Sequence, residues 1–463
     1  MTKQIISIVL ALINLVMSVP DYIPQNSAFW QPSENYSMDY TAPESKWSFD
    51  RCRETEHFYI FWEKGFGSDP GATTVPENMR VDISDLAQKL EQFWQTETQS
   101  LGFADTLDVN GYKMQIYLLY QDDWVATGSG YDDTIGALWI TPMTCQPVGS
   151  VIAHEVGHCF QYMVSCRQNA EGTDITQSGF RYGYPGSDGG NAFWELCAQW
   201  QSWQDYPAEM FTDYEMETWF SNYFRSLENE WTRYQNYWIL YYITQKHGTD
   251  ALLRIWTESR YPEDALSTYA RLYLDNDLNA LYTELYDYAV HCATFDFTAA
   301  QNYSESWQGY YNTKLIETSG GWLQVAYENC PEANGFNAVP LSPEAGKVTV
   351  QFKGLKPGSK LAKGDSGTYH TGDDPTVAGT VKTYNKYSGE MGWRYGFVAL
   401  KSDGTRVYSP MYSDTSATVT FDVPDDTYLV YFVVLGAPEE YACHAWDNTE
   451  LTDVQAPYKI KIS

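Results

Sequence analysis

The chain has 463 residues, of which 60 are acidic and 29 basic, giving a formal net charge of −31. That balance excludes a basic nucleic-acid-binding surface and opposes docking on anionic membranes, while the length allows two or three domains with sizeable cores. Aromatic residues make up 16%, including 38 Tyr and 17 Trp, a surplus that serves core packing or stacking on sugars and peptides.

Residues 1–18 carry Lys3 and an apolar run from Ile5 to Met17, with Val16 and Ser18 before an expected cleavage point. This is the pattern of a secretory signal peptide. It is too short to span a bilayer comfortably, although an uncleaved anchor is the alternative. The chain is therefore expected to be secreted or periplasmic, without membrane attachment after cleavage. Residues 19–46, with Pro20, Pro24, Pro32 and Pro43, read as an extended arm. Residues 57–62 (HFYIFW), 112–120 (YKMQIYLLY) and 135–142 (IGALWITP) read as strands. Between the first two, Ile83, Leu86, Leu90, Phe93 and Leu101 give residues 82–101 a helical rhythm.

A helix is expected over 148–165, and the chain then reads mainly helical to Tyr288. Within that stretch 191–203 and 231–248 stand out, the latter closed by Gly248. Asp275-Asn276-Asp277-Leu278-Asn279 begins like a calcium loop but lacks its glycine and terminal glutamate, so it reads as a turn between helices. After Cys330 a turn-rich linker (330–345) leads to short β runs at 347–353, 393–400, 417–421 and 427–435, with Asp403-Gly404 as a hairpin turn. The expected fold is α+β. A small mixed sheet and a helical subdomain occupy 47–329, and an all-β sandwich occupies 346–463.

Eight cysteines are present, at positions 52, 145, 159, 166, 197, 292, 330 and 443. An even count in an exported chain predicts some disulfides, and the lack of a CxxC pair excludes a cysteine-rich zinc ribbon. Cys159 and Cys197 lie near the metal candidates below and read as buried thiols or a local cross-link before they read as ligands.

The densest chemical signal is His154-Glu155-Val156-Gly157-His158, an HExxH pattern. On a helix the two imidazoles lie one turn apart and reach one metal ion, while Glu155 stands beside them to accept a proton from an activated water. A catalytic zinc takes three protein ligands and keeps one position open. Gln161 and Val164 occupy the positions where a metzincin continues with glycine and histidine, which excludes that class. Glu195 is the favoured third ligand. It is the only charge in the apolar run from Ala192 to Ala198, where a buried carboxylate is costly unless paired or metal-bound. Asp174, in Glu171-Gly172-Thr173-Asp174, is the lesser candidate.

On HEVGHCFQY (154–162), FWELCAQW (193–200) and RYQNYWILYYITQKHGTDALLRIW (233–256), the chain resembles the gluzincin-like zinc metallopeptidases. It resembles more closely a secreted bacterial family of unknown function with a gluzincin-type core. The resemblance covers residues 47–290 and implies a zincin-like catalytic domain, with His154, His158 and Glu195 holding Zn2+ and Glu155 as the base. Tyr234, with Tyr237 second, takes the position of the donor to the developing oxyanion. Gln199 stands where thermolysin-like members carry an aspartate that buttresses a ligand histidine, so the tuning by a full charge is lost. Residues 136–141 resemble the edge strand that binds substrate backbone in these enzymes, with an ordinary core strand as the alternative.

The expected activity is hydrolysis of peptide bonds in extracellular proteins or glycoproteins, with carbohydrate a possible partner of the C-terminal domain. The alternative is a zincin-fold protein that binds extracellular glycans or proteins without catalysis; the intact Glu155 argues against it, because binding alone needs no base. A glycoside hydrolase with paired carboxylates is compatible with the acidic, aromatic composition, but no spacing identifies such a pair.

Overall fold

The computed structural model describes residues 28–103, 111–170, 190–229, 232–260, 263–344, 346–356, 367–370, 378–381, 390–441 and 454–463. The leader expected over 1–18 and the lesser ligand candidate Asp174 lie outside the described residues. Within them the chain is α+β, with eight α-helices and several sheets. None of the described helices is long and apolar enough to cross a membrane.

One compact unit comprises residues 1–95 and 110–159. Its mixed sheet contains β1 (Cys52–Glu54), β2 (Phe58–Trp62), β3 (Met114–Leu118), β4 (Ala126–Tyr131) and β5 (Ile135–Ile140), in the order β1-β2-β3-β5-β4. β2, β3 and β5 run parallel, and β1 and β4 close the two edges antiparallel. The parallel step from β2 to β3 needs a crossover, which α1 (Ile83–Gln95) supplies by packing Leu86, Ala87, Leu90 and Phe93 inward. The expected helix over 82–101 is α1 followed by a π-turn over Thr96–Ser100.

Successive strand residues face opposite sides, so Tyr59, Phe61, Tyr117 and Trp139 share one sheet face. Neighbouring rings stack across it at 5.8–6.1 Å. Residues 28–46, part of the extended arm expected over 19–46, instead fold with residues 47–51 into turns over this ladder, where Phe29, Tyr40, Trp47 and Phe49 join its core. Polar ties fix the cover: Gln115 Nε2 donates to Trp30 O at 2.6 Å, and Asp132 accepts from Trp30 Nε1 and Ser33 N, each at 2.8 Å. Much of the aromatic surplus in this unit is therefore core.

The second unit comprises residues 96–109 and 160–463. The HExxH helix, α2 (Ser150–Ala170), is a single helix whose last residues belong to this unit. Then come α3 (Gly190–Asp205), α4 (Asp213–Asn222), α5 (Trp238–His247), α6 (Asp250–Glu258), α7 (Ala265–Tyr273) and α8 (Leu278–Ala293). Residues 232–237, expected as part of a helix over 231–248, form turns, and only Trp238–His247 is α-helical. Gly248 ends it at φ +86°, its N–H donating to Thr244 O at 2.8 Å. The calcium-like stretch is a left-handed turn at Asp275 and Asn276. Asp277 follows as the N-cap of α8, accepting from Asn279 N and Ala280 N.

Two antiparallel sheets complete this unit. One is built from β8 (Phe336–Leu341), β12 (Met391–Lys401), β13 (Arg406–Tyr408) and β15 (Thr427–Pro438), in the order β13-β12-β15-β8. The other holds β6 (Leu315–Thr318), β7 (Trp322–Val325), β9 (Lys347–Gly354), β14 (Ser416–Asp422) and β16 (Tyr458–Ile462), in the order β14-β9-β16-β7-β6. A small hairpin pairs β10 (Gly367–His370) with β11 (Ala378–Val381). Val350, Phe352, Tyr395, Phe432 and Ile460, drawn from both larger sheets, share one buried core. The outer face of β12 and β15 is covered by α8. The expected linker 330–345 therefore contains a sheet strand, β8, bonded to β15 from Phe336 to Leu341.

Six cysteines, at 52, 145, 159, 197, 292 and 330, are free thiols, so the expected disulfides are absent among the described cysteines. Burial pushes the thiols of Cys159 and Cys197 well above their ordinary pKa, which keeps them protonated and poor as ligands.

Candidate metal centre

α2 forms where small and apolar side chains recur at helical spacing. Ile152, Val156, Cys159, Phe160, Met163 and Val164 are all buried. Helical geometry then brings the rings of His154 and His158 to 4.7 Å between centroids, nearly perpendicular at 87°. Both are buried, and so is Glu155.

α3 buries Ala192, Phe193, Trp194, Leu196, Cys197 and Ala198, and Glu195 is 6% exposed among them. Each of His154, His158 and Glu195 offers one ligand atom, and these atoms all lie within 4.8 Å of one another. Tetrahedral zinc, with bonds of about 2.0–2.2 Å, needs donors roughly 3–4 Å apart, so modest side-chain rotation closes this set on one ion. Two imidazoles and one carboxylate also suit zinc chemically. The triad could hold a metal ion, and its residues are those expected from the sequence.

Glu155 is held from the sheet. Gly128 N–H in β4 donates to Glu155 Oε2 at 2.5 Å. β4 is an edge strand of the sheet, while β5 lies between β3 and β4. Residues 136–141, expected from the resemblance as an edge strand, therefore belong to an inner strand, because β5 pairs on both sides. Gly128 has no room for a side chain: an added Cβ would lie 2.0 Å from Glu155 O and 2.9 Å from His158 Cβ. Gly128→Ala is therefore expected to lower stability by about 1–3 kcal/mol, the usual overpacking range, and to weaken metal retention. Thermal unfolding and metal analysis check both, and a wild-type melting point with full metal content would refute the tight approach.

The sequence did not reveal a buried polar chain in the second unit. Gln161, one turn after His158, donates through Nε2 to Trp194 O at 3.2 Å and to Gln201 Oε1 at 2.8 Å. Gln201 Nε2 in turn donates to Glu97 Oε2 at 2.8 Å. All three side chains are buried. Burial pushes the Glu97 carboxyl up to about 8, opposed by the Gln201 hydrogen bond and assisted by Asp205. The residue that excluded a metzincin, Gln161, thus ties α2 to the backbone of the helix carrying Glu195.

The expected oxyanion donors fare differently. Tyr237 is buried, and its hydroxyl donates to Met210 O at 3.1 Å. Tyr234 lies half-buried in the turn before α5, with the Arg233 guanidinium 4.8 Å from its ring centre. Gln199 is half-buried on α3. Cys159 donates to Ala137 O at 3.3 Å, and Cys197 accepts from Trp256 Nε1 at 3.1 Å, so both thiols serve the core.

Residues 22–463 match the family described as "Family of unknown function (DUF6055)". The chain belongs to this family. No curated protein matches it. A DUF6055 chain of this kind therefore has to be read from its own site. Two features of that site, the Gly128 contact and the Gln161–Gln201–Glu97 chain, carry no recognisable local motif.

Proposed function

We propose that this DUF6055 protein is a secreted zinc metallopeptidase of gluzincin type, with a zincin-like catalytic domain. The observation that carries the reading is the buried His154–His158–Glu195 set, with a second carboxylate, Glu155, held beside the histidines by an edge-strand N–H. A zinc ion bound there supplies Lewis acidity, making water nucleophilic near neutral pH and polarising a carbonyl. His154, His158 and Glu195 would hold the ion. Glu155 takes the proton of the attacking water and passes it to the departing amine. Gly128 N–H orients Glu155 through Oε2. β4 offers its unpaired edge to an extended peptide, which adds as a further strand. Tyr234 is the proposed oxyanion donor. Export rests on the apolar leader pattern at 1–18, and the substrate class is extracellular protein or glycoprotein.

Metal analysis of the purified chain tests the reading. One equivalent of zinc is expected, lost in Glu195→Ala and in His158→Ala, and chelation is expected to stop cleavage of a mixed peptide library. Protein purified from zinc-supplemented medium that carries no metal and cleaves nothing would sink the peptidase reading and favour a binding protein.

A further inference from the structure

Where α8 lies over the sheet of β12 and β13, a cavity of about 360 Å³ remains. That size falls within the usual range for small-molecule sites, about 300–1,000 Å³. All of its lining belongs to the second unit, and none of it belongs to the metal centre.

The rim carries Lys246, Glu284 and Asp287, one ammonium and two carboxylates. Lys246 Nζ pairs with Glu284 Oε2, and Tyr242 OH lies 2.8 Å from Glu284 Oε2 and 2.6 Å from Asp287 Oδ2. An anionic occupant has to compete with these carboxylates for Lys246. A neutral, hydroxyl-rich occupant donates to them, because each carboxylate accepts several hydrogen bonds. In the wall, Tyr286 is buried.

Tyr408 adds an aromatic platform. Its ring stacks on His291 at 5.4 Å and 17°, its hydroxyl donates to Asp296 Oδ2 at 2.5 Å, and it remains 37% exposed. The ring is thus fixed before any ligand arrives, which lowers the entropy lost on binding. A ligand with hydroxyls around its edge and C–H groups on its face meets both the two carboxylates and this ring.

We propose that this cavity is a binding site for a neutral sugar residue. The test is saturation-transfer NMR on the full chain with millimolar methyl glycosides of glucose, galactose, mannose and N-acetylglucosamine, with sodium glutamate and lysine as charged controls. It is run with chelator present, so that its outcome is independent of the metal reading. At least one glycoside is expected to bind, with affinity reduced at least tenfold in Tyr408→Ala and in Asp287→Asn, both at exposed or half-exposed positions where folding is expected to survive. Binding that persists in both variants, binding of the charged controls alone, or no signal from any glycoside would overturn the proposal.

Discussion

Glu155→Gln is expected to bind one equivalent of zinc, keep the wild-type circular dichroism spectrum and lose peptide turnover by about a thousandfold, within the range of about 10²–10⁴ for a positioned base. That loss corresponds to roughly 4 kcal/mol of barrier. Two structural facts make the substitution clean. Glu155 is not one of the three residues that converge on the ion site, and an amide oxygen can still accept from Gly128 N–H in place of Oε2. The variant removes the proton acceptor and leaves the shape. Turnover within a factor of three of wild type, at full zinc content, would show that Glu155 is not the base.

The second large effect concerns stability. Glu97 has an ordinary pKa near 4.5 when unfolded and about 8 when buried in the native state. Its folded pKa is raised, so its contribution is most favourable below pH 4.5 and is lost as pH rises toward 8. Over that window the penalty grows by about 1.4 kcal/mol per pH unit. Glu97→Gln imitates the protonated form and still accepts from Gln201. It is expected to match wild type near pH 4.5 and to exceed it by roughly 3 kcal/mol at pH 7, flattening the pH dependence. Urea midpoints at pH 4.5, 6 and 7.5 check this. Parallel curves for the two proteins would mean that Glu97 titrates normally.

The two predictions draw on residues of opposite legibility. Glu155 is visible because HExxH pairs rare residue types at one helical spacing. Glu195 is visible because one carboxylate interrupts an apolar run. Both signals are local, and helix geometry converts them directly into position. Glu97 sits in Thr96-Glu97-Thr98-Gln99-Ser100, which reads as a polar helix end. Its burial comes from Gln201 and the packing of α3, more than a hundred residues later. β4 escaped for a similar reason: Ala126-Thr127-Gly128-Ser129-Gly130-Tyr131 carries a loop composition and becomes a strand only through pairing with β5. Inner and outer strands also differ in neighbours rather than in composition, which is why β5 passed for an edge. The helical and β regions were legible by periodicity. Their boundaries were not, since Phe336–Leu341 reads as a linker until β15 lies beside it.

The turns over residues 28–51 carry a practical consequence for defining where the folded unit begins. A boundary drawn at the first obvious strand, near residue 52, would leave Tyr59, Phe61 and Tyr117 as a bare aromatic sheet face in water. These rings are 0% exposed in the native chain. Such a face is a template for self-association rather than a domain surface. The proline-bearing stretch before the sheet is thus an integral lid on the core, and the smallest soluble version of this protein begins no later than Ala28.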